Sequence, residues 1–116
     1  MRKLLYVLST AIAVAVVAWA ADVNTPIDRN GAPRRQARTK DRIVWTGNQW
    51  SVEFPQRSPC QNGKKTFAST ETGQDRFCII SVPCTAADKS GCGAYKYNSR
   101  AEGGPVVDPE IEVTFP

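Results

Sequence analysis

The sequence predicts an all-β protein, an antiparallel β-sandwich. Two short runs alternate apolar and polar residues with a period of two, the mark of strands with one buried face. Trp50, Val52 and Phe54 alternate with Gln49, Ser51 and Glu53, and Ile111, Val113 and Phe115 alternate with Glu110, Glu112 and Thr114. Glycine, proline and asparagine punctuate the chain at regular intervals after residue 42, where no helical periodicity is present. Six or seven short strands spaced in this way pack as two antiparallel sheets.

The chain opens with Met1, Arg2 and Lys3, followed by an uncharged stretch over residues 4–21. A short positive end, an apolar middle and small residues Ala18 and Ala20 around Trp19 are the layout of a secretory signal. Residues 1–20 are therefore expected to be a signal helix removed after Ala20, which leaves 96 of the 116 residues to fold as one small domain. An uncleaved inner-membrane anchor is the alternative, because the stretch sits at the lower length limit for spanning a bilayer.

Residues 21–42 read as a basic, flexible, disordered linker. They hold Arg29, Arg34, Arg35, Arg38, Lys40 and Arg42 against Asp22, Asp28 and Asp41, with almost no large apolar side chain to offset the entropy of ordering. The net charge of +4 belongs to this segment and the leader, since residues 43–116 hold seven basic and eight acidic residues. Such a segment suits weak contact with an anionic surface. No aromatic residue is interleaved with its charges, so no specific nucleic-acid binding is expected.

Residues 43–116 are expected to form the β-sandwich domain. Residues 42–46 and 49–54 read as a hairpin turning at Gly47-Asn48, where positive φ is needed. Residues 65–70 are a short candidate strand. Residues 76–82, the most apolar run after the leader, lack alternation and read as a central strand covered on both sides. Residues 93–97 put Tyr95 and Tyr97 on one face, and residues 108–115 close the domain with Ile111, Val113 and Phe115 facing inward.

Cys60, Cys78, Cys84 and Cys92 all lie beyond the leader, and their spacings contain no C-x2-C knuckle of the kind that holds zinc. In an exported small domain they read as two disulfides. Cys78 and Cys84 stand too far apart along an extended strand to meet without a sharp reversal. Cys84 and Cys92 flank a turn-like stretch and close it locally, leaving Cys60 for Cys78. The crossed set, Cys60 with Cys84 and Cys78 with Cys92, stays open. Two bridges imply a periplasmic or secreted protein.

A Gly93-x-Tyr95-x-Tyr97 strand, a last strand beginning Asp108-Pro109-Glu110-Ile111, a hairpin carrying Trp45 and Trp50, and a Ser58-Pro59 loop together resemble small bacterial cupredoxin-like domains. The resemblance covers residues 43–116 and implies a Greek-key β-sandwich. It does not carry the copper site of that family. Two histidines, a cysteine and an axial methionine hold copper there, whereas this chain has no histidine and its one methionine is Met1. No metal or other cofactor is expected.

The absence of histidine also removes Ser-His-Asp and Cys-His catalysis. Asp108, Glu110 and Glu112 recur at every second position, a spacing that suits Ca²⁺ and equally a solvated outer face. Trp45, Trp50, Tyr95 and Tyr97 suit a carbohydrate or peptide platform, or a core. The loop over residues 85–91, with Asp88 and Lys89, is the candidate binding surface together with Tyr95 and Tyr97. The expected function is non-catalytic: an exported domain that binds another protein or envelope component, or has a structural role there. The alternative is a small secreted effector, an enzyme inhibitor or a cationic antimicrobial protein.

Overall fold

The computed structural model describes residues 20–115. The expected leader, residues 1–20, lies outside them except for Ala20. The described chain is all-β. Its strands are β1 (Asp22–Pro26), β2 (Arg35–Ala37), β3 (Arg42–Thr46), β4 (Trp50–Glu53), β5 (Thr66–Ala68), β6 (Cys78–Ile79), β7 (Gly93–Lys96), β8 (Asn98–Ala101), β9 (Val106–Val107) and β10 (Glu110–Val113). They form three sheets, in the orders β1-β3-β6, β2-β10-β7 and β5-β4-β8-β9.

Residues 21–42 are not a linker. β1 pairs with β3 along its whole length, from Asp22 beside Arg42 to Pro26 beside Thr46, and β2 pairs with β10. Thr25, Ile27 and Ala37 are buried. Composition measures only what side chains bury. β1 is an edge strand held largely by main-chain hydrogen bonds, to which its few apolar side chains add little. An exposed clamp reinforces the pair: the Arg42 guanidinium donates to both carboxylate oxygens of Asp22 at 2.8 and 2.9 Å. These hydrogen bonds from Arg42 hold the Asp22 carboxyl below its usual range.

Both pairings made by this segment are parallel, so the two three-stranded sheets are mixed, while the four-stranded sheet is antiparallel throughout. Two parallel neighbours cannot be joined by a tight turn. The chain accordingly leaves β1, runs through β2 in a different sheet, and returns as β3.

The hairpin expected at Gly47-Asn48 is absent. β3 lies in the first sheet and β4 in the third, between β5 and β8. The chain changes sheet at Gly47, where φ is 142° and a Cβ would sit 2.7 Å from the Ile27 carbonyl oxygen. Glycine is required there by both the backbone angle and the close approach. Residues 76–82 also differ from expectation. Only Cys78–Ile79 is strand, at the edge of its sheet. The run is apolar because Cys78 and Ile80 are buried (0 % and 1 % exposed), while Ile80 and Ser81 donate irregular hydrogen bonds to the carbonyls of Asp41 and Pro59.

Other expectations hold. Trp50 and Val52 face inward with Ser51 and Glu53 outward, and Ile111 and Val113 are buried. Phe115, beyond the last strand, is exposed instead. The cysteines form Cys60–Cys78 and Cys84–Cys92, with Cα atoms 5.0 and 4.9 Å apart. The first bridge fastens the loop after β4 to β6, and the second closes the loop before β7.

One aromatic cluster joins the layers. Trp45 of β3 stands 5.0 Å from Phe67, 5.8 Å from Tyr97 and 5.9 Å from Trp50, measured between ring centroids. Phe54 packs against Tyr97 at 5.1 Å. All five rings are buried. The first and third sheets are thus cemented through side chains, although no strand is shared between them.

Candidate functional site

Tyr95 and Tyr97 are not surface residues, because both are buried on the same side of the β7–β8 path. The Tyr95 hydroxyl donates to the Gly91 carbonyl at 2.8 Å, and the Arg57 guanidinium lies 4.3 Å from its ring centre. Tyr95 thereby tethers the end of the loop that Cys84–Cys92 closes. The Tyr97 hydroxyl accepts the Trp45 indole N–H at 3.3 Å. With Trp45 and Trp50 also buried, the four aromatics form core and no platform.

Burial pushes the Tyr97 phenol up to about 12, with the Trp45 hydrogen bond and the Arg35 charge offsetting only part of the effect. The fold holds the neutral phenol, so above pH 10 it retains a proton that the unfolded chain releases. Stability from this group is whole below about pH 10 and falls as the pH rises towards 12. A titration of phenolate absorbance should show one tyrosine ionising only with unfolding. Its ionisation before the near-ultraviolet dichroism is lost would contradict this placement.

Asp88 and Lys89 are exposed, as expected, in a self-bonded loop. The Thr85 N–H donates to the Asp88 carbonyl and the Asp88 N–H returns a bond to the Thr85 hydroxyl. The Asp88 carboxylate accepts the Ser90 N–H at 3.0 Å, and its bonds to Ser90 hold it below the usual carboxylate range. The Lys89 ammonium sits 5.4 Å from the Phe115 ring centre.

The carboxylates at positions 108, 110 and 112 do not converge on a shared centre. Arg34 lies between Glu110 and Glu112 at 3.6 and 3.5 Å, Gln36 donates to Glu112, and Lys96 faces Asp108 at 3.8 Å. No cluster of three or more metal-ligating side chains occurs among the described residues.

Two adjoining recesses lie elsewhere, on the outer side of the four-stranded sheet. One of about 470 Å³ is bounded by Glu53, Thr66, Asn98 and Val106, and one of about 350 Å³ by Gln49, Thr70 and Glu102. They meet at Ser51 and Arg100, which stand opposite each other on β4 and β8. Arg100 is aimed by a bond from its Nε to the Gly104 carbonyl at 3.3 Å. β9, the neighbouring edge strand, presents Val106 with 59 % exposure. Trp50 is among the residues that line the smaller recess, and its buried Nε1–H has no hydrogen-bond partner among the described residues.

Sequence reasoning missed this face. Ser51 and Glu53 were identifiable as outward positions, but nothing local shows that β8 lies beside them and supplies Arg100.

Comparison with family models, with curated proteins and with solved structures finds no match to this chain. The two disulfides indicate an oxidising, extracytoplasmic environment. No helix among the described residues is long and apolar enough to cross a membrane.

Proposed function

We propose that this chain is a non-catalytic exported module, periplasmic or secreted, that binds a protein partner of the cell envelope through the outer face of its four-stranded sheet. The observation that carries this reading is the pair of adjoining recesses centred on Arg100, beside the exposed Val106 edge. Arginine aimed by a backbone bond and flanked by Ser51, Glu53 and Asn98 offers directional hydrogen bonding, and Val106 adds apolar area. Protein interfaces favour that combination. The short edge strand β9 also has free backbone groups for an added strand. Exposed Arg29, Arg38 and Lys40 support a weak accessory contact with an anionic surface.

A Greek-key, cupredoxin-like arrangement belongs to the same proposal. Its support is the short C-terminal motifs and the non-sequential pairs β4–β8 and β10–β2, which hairpins alone do not generate.

The test is affinity capture from envelope extract with the oxidised protein and two variants. Arg100→Glu is expected to lower recovery of the captured partner on the order of tenfold or more, with an unchanged urea midpoint. Lys89→Glu, in the disulfide-closed loop, should leave recovery intact. Equal capture by the Arg100 variant, or loss confined to the Lys89 variant, would move the site off this sheet.

A further inference from the structure

Asp41 is a buried carboxylate, 7 % exposed, whose side-chain oxygens are held by two backbone N–H groups. Oδ2 accepts the Arg38 N–H at 2.9 Å, and Oδ1 accepts the Ala21 N–H at 3.1 Å. Ala21 is the residue that follows the expected leader cut. It is fixed there by register: its carbonyl accepts the Arg42 N–H at 2.8 Å, continuing the parallel ladder of β1 and β3 by one residue. No lysine or arginine side chain among the described residues forms an ion pair with Asp41. Neutral donors therefore carry a buried charge, an arrangement that a cation in place of one of them would improve.

We infer that hydrolysis of the Ala20–Ala21 peptide bond converts the Ala21 nitrogen into an α-ammonium that pairs with Asp41, so that removal of the leader locks the N-terminal strand into the fold. This rests on the exported, processed reading of the chain. The reaction is a simple hydrolysis by a leader-removing endopeptidase. Water adds across the amide, the departing leader keeps a carboxylate on Ala20, and Ala21 keeps the nitrogen, which is protonated at neutral pH. Donor and acceptor need not move, because the nitrogen already lies at hydrogen-bond distance. What changes is that a neutral bond becomes a charge-assisted one. The timing is also constrained. In the folded chain Ala20 donates to the Lys40 carbonyl at 3.3 Å and Ala21 is laddered to β3. The scissile bond is then held in extended pairing against the protein, so the cut precedes or accompanies the docking of β1.

The surroundings leave Asp41 as the partner. The turn packed against it contributes Arg38 and Lys40, both exposed, and the β6 side contributes only Ile79 and Ile80. Asp22, next to Ala21, is engaged by Arg42. Gln36 and Thr114, which border the remaining side, do not titrate.

The experiment expresses the full chain in an exporting host and purifies the product. Intact mass reports the cut, and a mature chain beginning at Ala21 is expected. A retained leader or a different terminus would overturn the processing step itself. The α-amine of the product is then acetylated in urea with the disulfides intact, which keeps an N–H but removes the charge, and the protein is refolded. At neutral pH acetylation should raise the unfolding equilibrium constant about tenfold. The folded-state pairing raises the α-ammonium pKa above its ordinary value of about 8, so the advantage of the free terminus is full below that pH. It should vanish as the pH rises past about 10, while Arg38 and Lys40 act equally on both forms. In Asp41→Asn the two forms should be equally stable at every pH. A chain correctly cut at Ala21 whose stability is indifferent to acetylation would overturn the ion pair while leaving the export reading intact. The acetylation pair decides the matter even if the Asp41 variant does not fold.

Discussion

Reduction of both disulfides is expected to cost the domain about 5.5 kcal/mol of stability, at least about two-fifths of the whole. In the chain-entropy view, Cys60–Cys78, with a sequence separation of 18, contributes about 3 kcal/mol, and Cys84–Cys92, with a separation of 8, about 2.5 kcal/mol. A domain of this size has a total stability of about 5–14 kcal/mol, so losing both, about 5.5 kcal/mol together, removes from about two-fifths to all of it. The two bridges should not be equivalent. Cys60 and Cys78 are buried at 3 % and 0 % exposure, and β6 has only two residues paired with β3. The paired replacement Cys60→Ala with Cys78→Ala opens the core as well as the loop. Cys84→Ala with Cys92→Ala vacates one buried site, since Cys84 is 3 % exposed but Cys92 only half-buried, and frees a loop that Tyr95 still tethers to Gly91. Urea unfolding followed by near-ultraviolet dichroism, with and without strong reductant, measures both. An unchanged midpoint in reductant would remove the need for an oxidising compartment.

The two cross-links were legible from the cysteine count and spacing, and so was the favoured pairing. Eight residues across a polar stretch form a local closure that needs no knowledge of the fold. Strand identity was legible wherever one face is buried and the other wet, as in Trp50–Glu53 and Glu110–Val113. What could not be read was the pairing of distant segments. Gly47-Asn48 has the chemistry of a hairpin turn. Its glycine serves instead to let the chain cross between sheets under the Ile27 carbonyl. The tyrosines at positions 95 and 97 show the same limit. Alternation places them on one face of a strand without saying that Trp45, Phe54 and Gly91 wait on that side. Residues 22–42 failed for a different reason. A strand that joins a sheet edge mainly by main-chain bonds leaves almost no hydrophobic signature. In consequence these residues cannot be trimmed as a tail, because β1 and β2 would go with them.

Trp45→Ala should be the most damaging single substitution in the core. The ring is 1 % exposed and lies among Trp50, Phe54, Phe67 and Tyr97, with its nearest neighbour, Phe67, 5.0 Å away between centroids. Removing a buried tryptophan costs about 3–5 kcal/mol through lost burial and the cavity left behind. Here the cost reaches further than volume, because Trp45 on β3 and Tyr97 beside β8 join sheets that share no strand. The substitution also deprives the buried Tyr97 hydroxyl of its donor. Trp45→Phe separates the two contributions. It keeps an aromatic ring for Phe67 and Tyr97 but removes the indole N–H, and a loss of about 1–3 kcal/mol is expected. Urea midpoints at constant m-value give both numbers, read by far-ultraviolet dichroism since the main fluorophore is altered. If the alanine variant unfolds within about 1 kcal/mol of the parent, the sheets are not held together through this ring. The junction would then have to be sought at the Cys60–Cys78 bridge, which links the loop after β4 to β6 by a covalent route.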